Sequence, residues 1–248
     1  MLSFAVDLAI RAGESTLEAF RSGIAAELKA DNSPVTEADR FAERLVREAI
    51  AQEYPEHGVF GEEYGPSGSE SRRWVVDPID GTKSFIAGVP LYGTLLSYEE
   101  DGVPVIGVVS LPALGLTAYA EKGGGAFTLD GPTKVSSQTE WSSVYLVTSD
   151  ARQYRKQGNW DELGTVIDQV AAVRTWGDAY ASYLMVTGKA DLFVDPQLHP
   201  WDVSALSLLI EEAGGRVTDR EGNPNPRTSA YCSNGVLHER LLEAFRTP

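Results

Sequence analysis

The run WVVDPIDGTKSF (residues 74–85) brings two carboxylates, Asp77 and Asp80, into one turn at the end of an apolar stretch. Pro78 fixes its own φ and has no N–H, so the turn leaves Ile79 able to offer a carbonyl and Gly81 and Thr82 able to present amides. Carboxylate and carbonyl oxygens are the donor set that suits Mg2+. The same residues can also form a plain side-chain-capped turn closing a strand. Two more acids stand far away in sequence. Glu62 directly follows Gly61, and Asp202 directly follows Trp201 at the start of a helical apolar pattern. The competing roles are a solvated loop acid for Glu62, as for Glu63 beside it, and a helix N-cap for Asp202. Trp201 reads as a packing residue.

Elements must hold these residues in place. Apolar positions at helical spacing predict a helix over residues 2–21 and a clearer one over 36–53, where Phe41, Ala42, Leu45, Val46, Ala49 and Ile50 share a face. Thr36 and Asp39 form a capping-box-like start, and Pro55 closes the helix. Strands are predicted at 57–60, 73–76, 92–98, 103–110, 117–120 and 126–129, a mostly antiparallel meander. The triple glycine at 123–125 reads as a hairpin turn, since it lacks the spacing and setting of a nucleotide loop. Beyond Gly131-Pro132, strands at 143–148, 173–175, 191–194, 216–218 and 230–233 alternate with helices at 160–171, 179–187, 202–213 and 236–246. The expected division is 1–135, an α+β part carrying most candidate ligands, and 136–248, an α/β part carrying Asp202.

Composition narrows the function classes. A chain of 248 residues with net charge −15 has no clustered Lys and Arg for a nucleic acid backbone. If so acidic a protein handles a phosphate ester, its positive charge must come from something other than side chains, and a divalent metal is the natural supplier. No apolar run approaches the roughly 20 residues of a membrane helix. The single Cys232 cannot form an internal disulfide, and the N-terminus has an early acid and no basic stretch, so the expected location is cytoplasmic. The three histidines have no metal-ligand spacing, and no Gly-x-Ser-x-Gly elbow is present.

Taken together, GEE (61–63), WVVDPIDGTKSF and WDVSALSLLIEEAGG (201–215) resemble the inositol monophosphatase family, Mg2+-dependent and lithium-sensitive phosphomonoesterases. The resemblance spans residues 34–215. It implies an α/β fold, a layered α/β/α/β/α sandwich of the sugar-phosphatase type. It also implies two or three Mg2+ ions. One ion would take Glu62, Asp77 and the Ile79 carbonyl, and a second Asp77, Asp80 and Asp202, with Asp77 shared. Metal pairs about 3.5–4 Å apart activate a water and stabilise the departing oxygen. Glu62, Thr82 and Asp39 would be catalytic, with the Thr82 hydroxyl bonded to Asp39 to orient and help deprotonate water. The alternative for Asp39 is a carboxylate complementing the helix dipole. The Gly81 and Thr82 amides would bind phosphate oxygens, and Thr82 could be an N-cap. Lys29 resembles a lysine near the family's metal site, or is a surface lysine. The resemblance also allows a homodimer.

The leaving group should be chosen by the C-terminal part. Asp80, Gly177, Asp178 and Asp195 are the candidate substrate contacts. Gly177-Asp178-Ala179-Tyr180 and Asp195 depart from the inositol-specific pattern, and Arg174-Thr175-Trp176-Gly177-Asp178, Ser182-Tyr183 and DPIDGTKSFIAGVP resemble the histidinol-phosphatase branch. Histidinol phosphate carries an ammonium group and an imidazole that an added carboxylate would attract, whereas inositol is a neutral polyol. The expected substrate is therefore L-histidinol phosphate. Inositol 1-phosphate is the alternative, followed by a nucleotide 3′-phosphate or sugar bisphosphate, and last a phospho-ligand binder without turnover. Asp178 as a simple helix N-cap competes with the substrate role.

Overall fold

The computed structural model describes residues 1–23, 26–28 and 34–246; Lys29 lies outside them. In chain order come α1 (Leu2–Glu14), α2 (Leu17–Ser22), β1 (Glu27–Leu28), β2 (Pro34–Val35), α3 (Glu37–Glu53), β3 (Gly58–Gly61), β4 (Gly65–Ser67), β5 (Arg72–Asp80) and α4 (Thr82–Ile86). A run of strands follows: β6 (Gly93–Glu100), β7 (Val103–Leu111), β8 (Leu116–Glu121), β9 (Ala126–Thr128) and β10 (Gly131–Thr133). The remainder is β11 (Tyr145–Thr148), α5 (Ala151–Gln157), α6 (Trp160–Ile167), β12 (Ala172–Arg174), α7 (Asp178–Val186), β13 (Leu192–Asp195), α8 (Pro200–Glu212), β14 (Arg216–Thr218), β15 (Ala230–Ser233) and α9 (His238–Arg246).

Strands β3–β10 form an eight-stranded sheet of order β10-β9-β8-β7-β6-β5-β3-β4, antiparallel except where β3 runs parallel to β5. The other sheet, β12-β11-β13-β15-β14, is mixed. Helices α1 and α3 cover one face of the large sheet, α7 and α8 fill the space between the sheets, and α6 and α9 pack outside the small one. This is the layered α/β/α/β/α sandwich.

Sequence chemistry explains the layering. Helix α3 is amphipathic and lies on the outside, whereas in α8 every residue from 203 to 210 is buried. A helix that is apolar or small all round has to be covered on all sides. Close approach is achieved at Gly107 of β7, where an added methyl would sit 2.9 Å from the Ala205 carbonyl oxygen.

Some elements differ from the expected ones. The helix over 2–21 is two helices, because the Thr16 hydroxyl donates to Gly13 O (2.6 Å) and also pairs with the buried Tyr92 hydroxyl (3.1 Å), turning the chain. The helix expected over 160–171 ends at Ile167, and α5 precedes it. Strands β1, β2, β4 and β10 were not expected. The last two are the edges of the large sheet and read Gly-Pro-Ser and Gly-Pro-Thr, a composition that signals a turn yet is tolerated at an edge. The triple glycine does turn the β8–β9 hairpin, and the Gly123 and Gly125 amides donate to the Glu212 carboxylate at 2.7 and 2.8 Å.

Candidate active site

In a regular strand, residues three apart point to opposite faces. Asp77 and Asp80 of β5 do not, because the ladder slips between them: Asp77 pairs with Leu95 and Asp80 with Gly93, so β5 spends one residue more than β6. Pro78, which has no amide to donate, sits in this bulge. The irregularity is fixed by its own hydrogen bonds. Ile79 N donates to Asp77 Oδ1 (3.0 Å), and the Thr94 hydroxyl donates to Pro78 O (2.8 Å). Asp202 arrives from the first turn of α8. It is not the N-cap; that is His199, whose amide donates to Asp202 Oδ2 (2.7 Å). Trp201 packs edge-on against Phe60 and stacks on His199.

The outcome is a cluster in which carboxylate oxygens of Asp77, Asp80 and Asp202 lie within 4.8 Å of one another. Burial raises the pKa of all three, Asp202 to about 8, and the charge of Glu62 adds to the rise in each case. Asp77 is buried and Asp80 and Asp202 are half-buried, and like charges so close are unfavourable unless protonated or matched by a cation. An all-oxygen donor set fits a hard divalent ion. Glu62 stands beyond the end of β3 with its amide on Val76 O (3.2 Å), next to Asp77.

Asp39 is fully buried at the third position of α3. Its Oδ2 accepts from the Thr36 amide (2.7 Å) and hydroxyl (2.5 Å), the expected capping box. Its Oδ1 is buried and has no hydrogen-bond partner among the described residues. The Thr82 hydroxyl donates to Ile79 O at 3.1 Å, so the Asp39–Thr82 bond implied by the resemblance is not formed in this structure. Nor is Thr82 the N-cap of α4. Gly81 takes that place in the left-handed region (φ 89°), which a residue without Cβ reaches freely.

Across Gly81 lies a further acidic group. A methyl on Gly81 would sit 3.1 Å from Asp178 Oδ2. Asp178 itself has φ 56°, and Gly177, not Asp178, caps α7. Gly177 packs so tightly on Ser149 that any side chain there would overlap it. The Ser149 hydroxyl accepts from the Asp178 amide (3.3 Å) and interacts with the carboxylates of both Asp178 and Asp195. Burial raises both acids, Asp195 to about 7, and Lys83 offsets part of the rise at Asp178. Ser149 and Lys83 escaped the sequence reading. Ser149 carries no local signal, and Lys83 was hidden inside the phosphate-turn motif.

The whole chain is similar to known proteins. A model described as "Inositol monophosphatase family" matches residues 1–247. The chain is 42% identical to a histidinol-phosphatase of Chlorobaculum parvum, over 98% of this chain and 96% of that one. It is 34% identical to an inositol-1-monophosphatase of Rhizobium meliloti, over 100% and 97%. Extragenic suppressor protein suhB from Bartonella henselae superposes with a TM-score of 0.92 at 28% identity, over 99% and 98% of the two chains. Since the likeness extends from the first helix to the last and includes the acidic turn, the protein belongs to the inositol monophosphatase family.

Proposed function

We propose that this phosphoric monoester hydrolase converts L-histidinol phosphate and water to histidinol and inorganic phosphate, using Mg2+ held by Glu62, Asp77, the Ile79 carbonyl, Asp80 and Asp202. The observation that carries the reading is the pair of acidic groups on either side of Gly81. The cluster of Asp77, Asp80 and Asp202 suits metal, and Asp178 with Asp195 suits a cationic leaving group. Bound there, two or three Mg2+ ions would lower the pKa of a water and neutralise charge on the phosphate and departing oxygen. The Gly81 and Thr82 amides hold phosphate oxygens at the start of α4. Thr82 and Asp39 orient the attacking water, with the vacant Asp39 Oδ1 as proton acceptor, and Glu62 bears on the same water. Burial makes ionised Asp178 and Asp195 costly, and the substrate's ammonium group offsets that cost. Burial raises the pKa of Asp80, and the charges of Asp178 and Asp202, one from each group, raise it further.

In this reading residues 1–135 supply most metal donors, and 136–248 supply Asp202 and the substrate wall. Among the described residues no helix is long and apolar enough to cross a membrane; we further propose a cytoplasmic homodimer, to be checked by light scattering. Excess EDTA is expected to abolish phosphate release and Li+ to suppress it. Release that continues unchanged in EDTA would overturn the metal reading.

The substrate is tested by comparing histidinol phosphate with inositol 1-phosphate, the substrate favoured by the Rhizobium meliloti likeness, and with fructose 1,6-bisphosphate and adenosine 3′,5′-bisphosphate. Asp178→Asn keeps size but removes charge. Its kcat/KM for histidinol phosphate should fall by roughly 1.5–3 kcal/mol, the worth of a hydrogen bond to a charged group. Inositol 1-phosphate hydrolysis should change far less. Equal losses on both substrates would make Asp178 a support for α7 or the metal cluster instead.

A further inference from the structure

We propose that Glu43 is a positioning residue for Glu62: from outside the ligand set, its buried carboxylate fixes the turn on which Glu62 stands and so sets the affinity for metal. The inference rests on the reading of Glu62 as a metal ligand.

Glu43 lies one helical turn after Asp39 on α3 and is fully buried. Its partners are unusual for a helix-surface acid. Oε2 accepts from the Glu63 amide (2.7 Å), while Oε1 accepts from the Tyr64 amide (3.3 Å) and from Arg47 Nε (2.8 Å). Arg47 then reaches over the same turn, donating to Ser67 Oγ (2.8 Å) and Gly65 O (2.5 Å). Gly61 is seated against the carboxylate so closely that an added methyl would overlap it. This requirement explains the glycine that precedes Glu62. The residues flanking Glu62 are thus clamped to α3, and its own amide is tied to Val76 O on β5, beside Asp77. One helix therefore carries Asp39 and also anchors the turn that carries Glu62.

A loop acid held only by its own backbone would sample several orientations, and a ligand that must be ordered on binding lowers affinity. Partners that orient a ligand from behind typically change metal affinity by about 10–100-fold when removed. Glu43 would act in this way through two amides, not through the ligand's own side chain.

The test is calorimetric titration of the metal-free full-length protein with Mg2+, alongside the Mg2+ dependence of kcat and KM. Glu43→Gln should bind Mg2+ about 10–100-fold more weakly, with kcat largely recovered at saturating Mg2+ and KM for the phosphate ester little changed. Arg47→Lys, a milder change that removes the forked grip on Gly65 and Ser67, should weaken binding severalfold and guards against misfolding of the first variant. Glu62→Gln is the reference. If it is weakened while folded Glu43→Gln or Arg47→Lys retains wild-type Mg2+ affinity and merely melts at lower temperature, Glu43 is a structural ion pair and the proposal fails alone. If Glu62→Gln itself binds Mg2+ like wild type, the ligand assignment fails and takes the proposal with it.

Discussion

Asp77→Asn is expected to lose about 10³-fold in kcat, because metal-based charge stabilisation is worth several kcal/mol and each decade is about 1.36 kcal/mol. In EDTA the same variant should melt at a higher temperature than wild type, since one member of a crowded acidic cluster is gone. Asp202→Asn should behave likewise. The pH dependence follows from the direction of the shifts. Asp202 is held at about 8 in the fold, far above an ordinary carboxylate, so its contribution to stability is complete below about pH 4. That contribution is lost as the pH rises through about 8. Metal-free wild-type protein should therefore weaken with a slope approaching 1.4 kcal/mol per pH unit for each proton released, roughly the linkage limit. The variants should show a shallower slope. Saturating Mg2+ should invert the order, because a ligand that binds only the folded state stabilises it. Melting curves between pH 4 and 8, with EDTA and with Mg2+, decide the matter; a variant that melts below wild type in EDTA at pH 8 would show that these acids are turn formers.

Thr82→Ala should lower kcat by about 10²–10⁴-fold, the usual worth of general-base assistance, with Mg2+ affinity little changed. Asp39→Asn should match it, and the double variant should be no worse than either single one, as expected for two groups acting as a unit. Two features of the structure sharpen this test. Asp39 also closes the capping box of α3, so part of its effect could be on stability. Thr36→Ala removes that cap and should cost about 1 kcal/mol of stability while leaving kcat near wild type. The second feature is that the Thr82 hydroxyl points at Ile79 O here while Asp39 Oδ1 stands empty. Losses that multiply in the double variant would mean the two residues never meet.

The acidic turn and α3 were legible in the sequence because each is encoded locally, by Asp-Pro-Ile-Asp-Gly-Thr in one case and by a cap plus apolar periodicity in the other. What escaped was encoded at a distance. The break after Ser15 depends on the hydroxyl of Tyr92, and α5 has one buried residue, Tyr154, too few to show a period. The bulge that turns Asp77 and Asp80 the same way is visible only once β6 is paired. Glu43 looked like any helix acid, since nothing near it in sequence announces that Glu63 and Tyr64 will present amides to it. Asp178 was singled out by its type, yet its place over Gly81 needs Ser149 beneath it.

The two proline-centred edge strands have a consequence for crowded solution. An added strand needs a row of unpaired amides and carbonyls, and each edge of the large sheet is only three residues long with no N–H at its middle. Neither end can template a neighbour of useful length. The large sheet cannot grow from chain to chain into a fibre, and copies that meet along its ends must do so through side-chain surfaces.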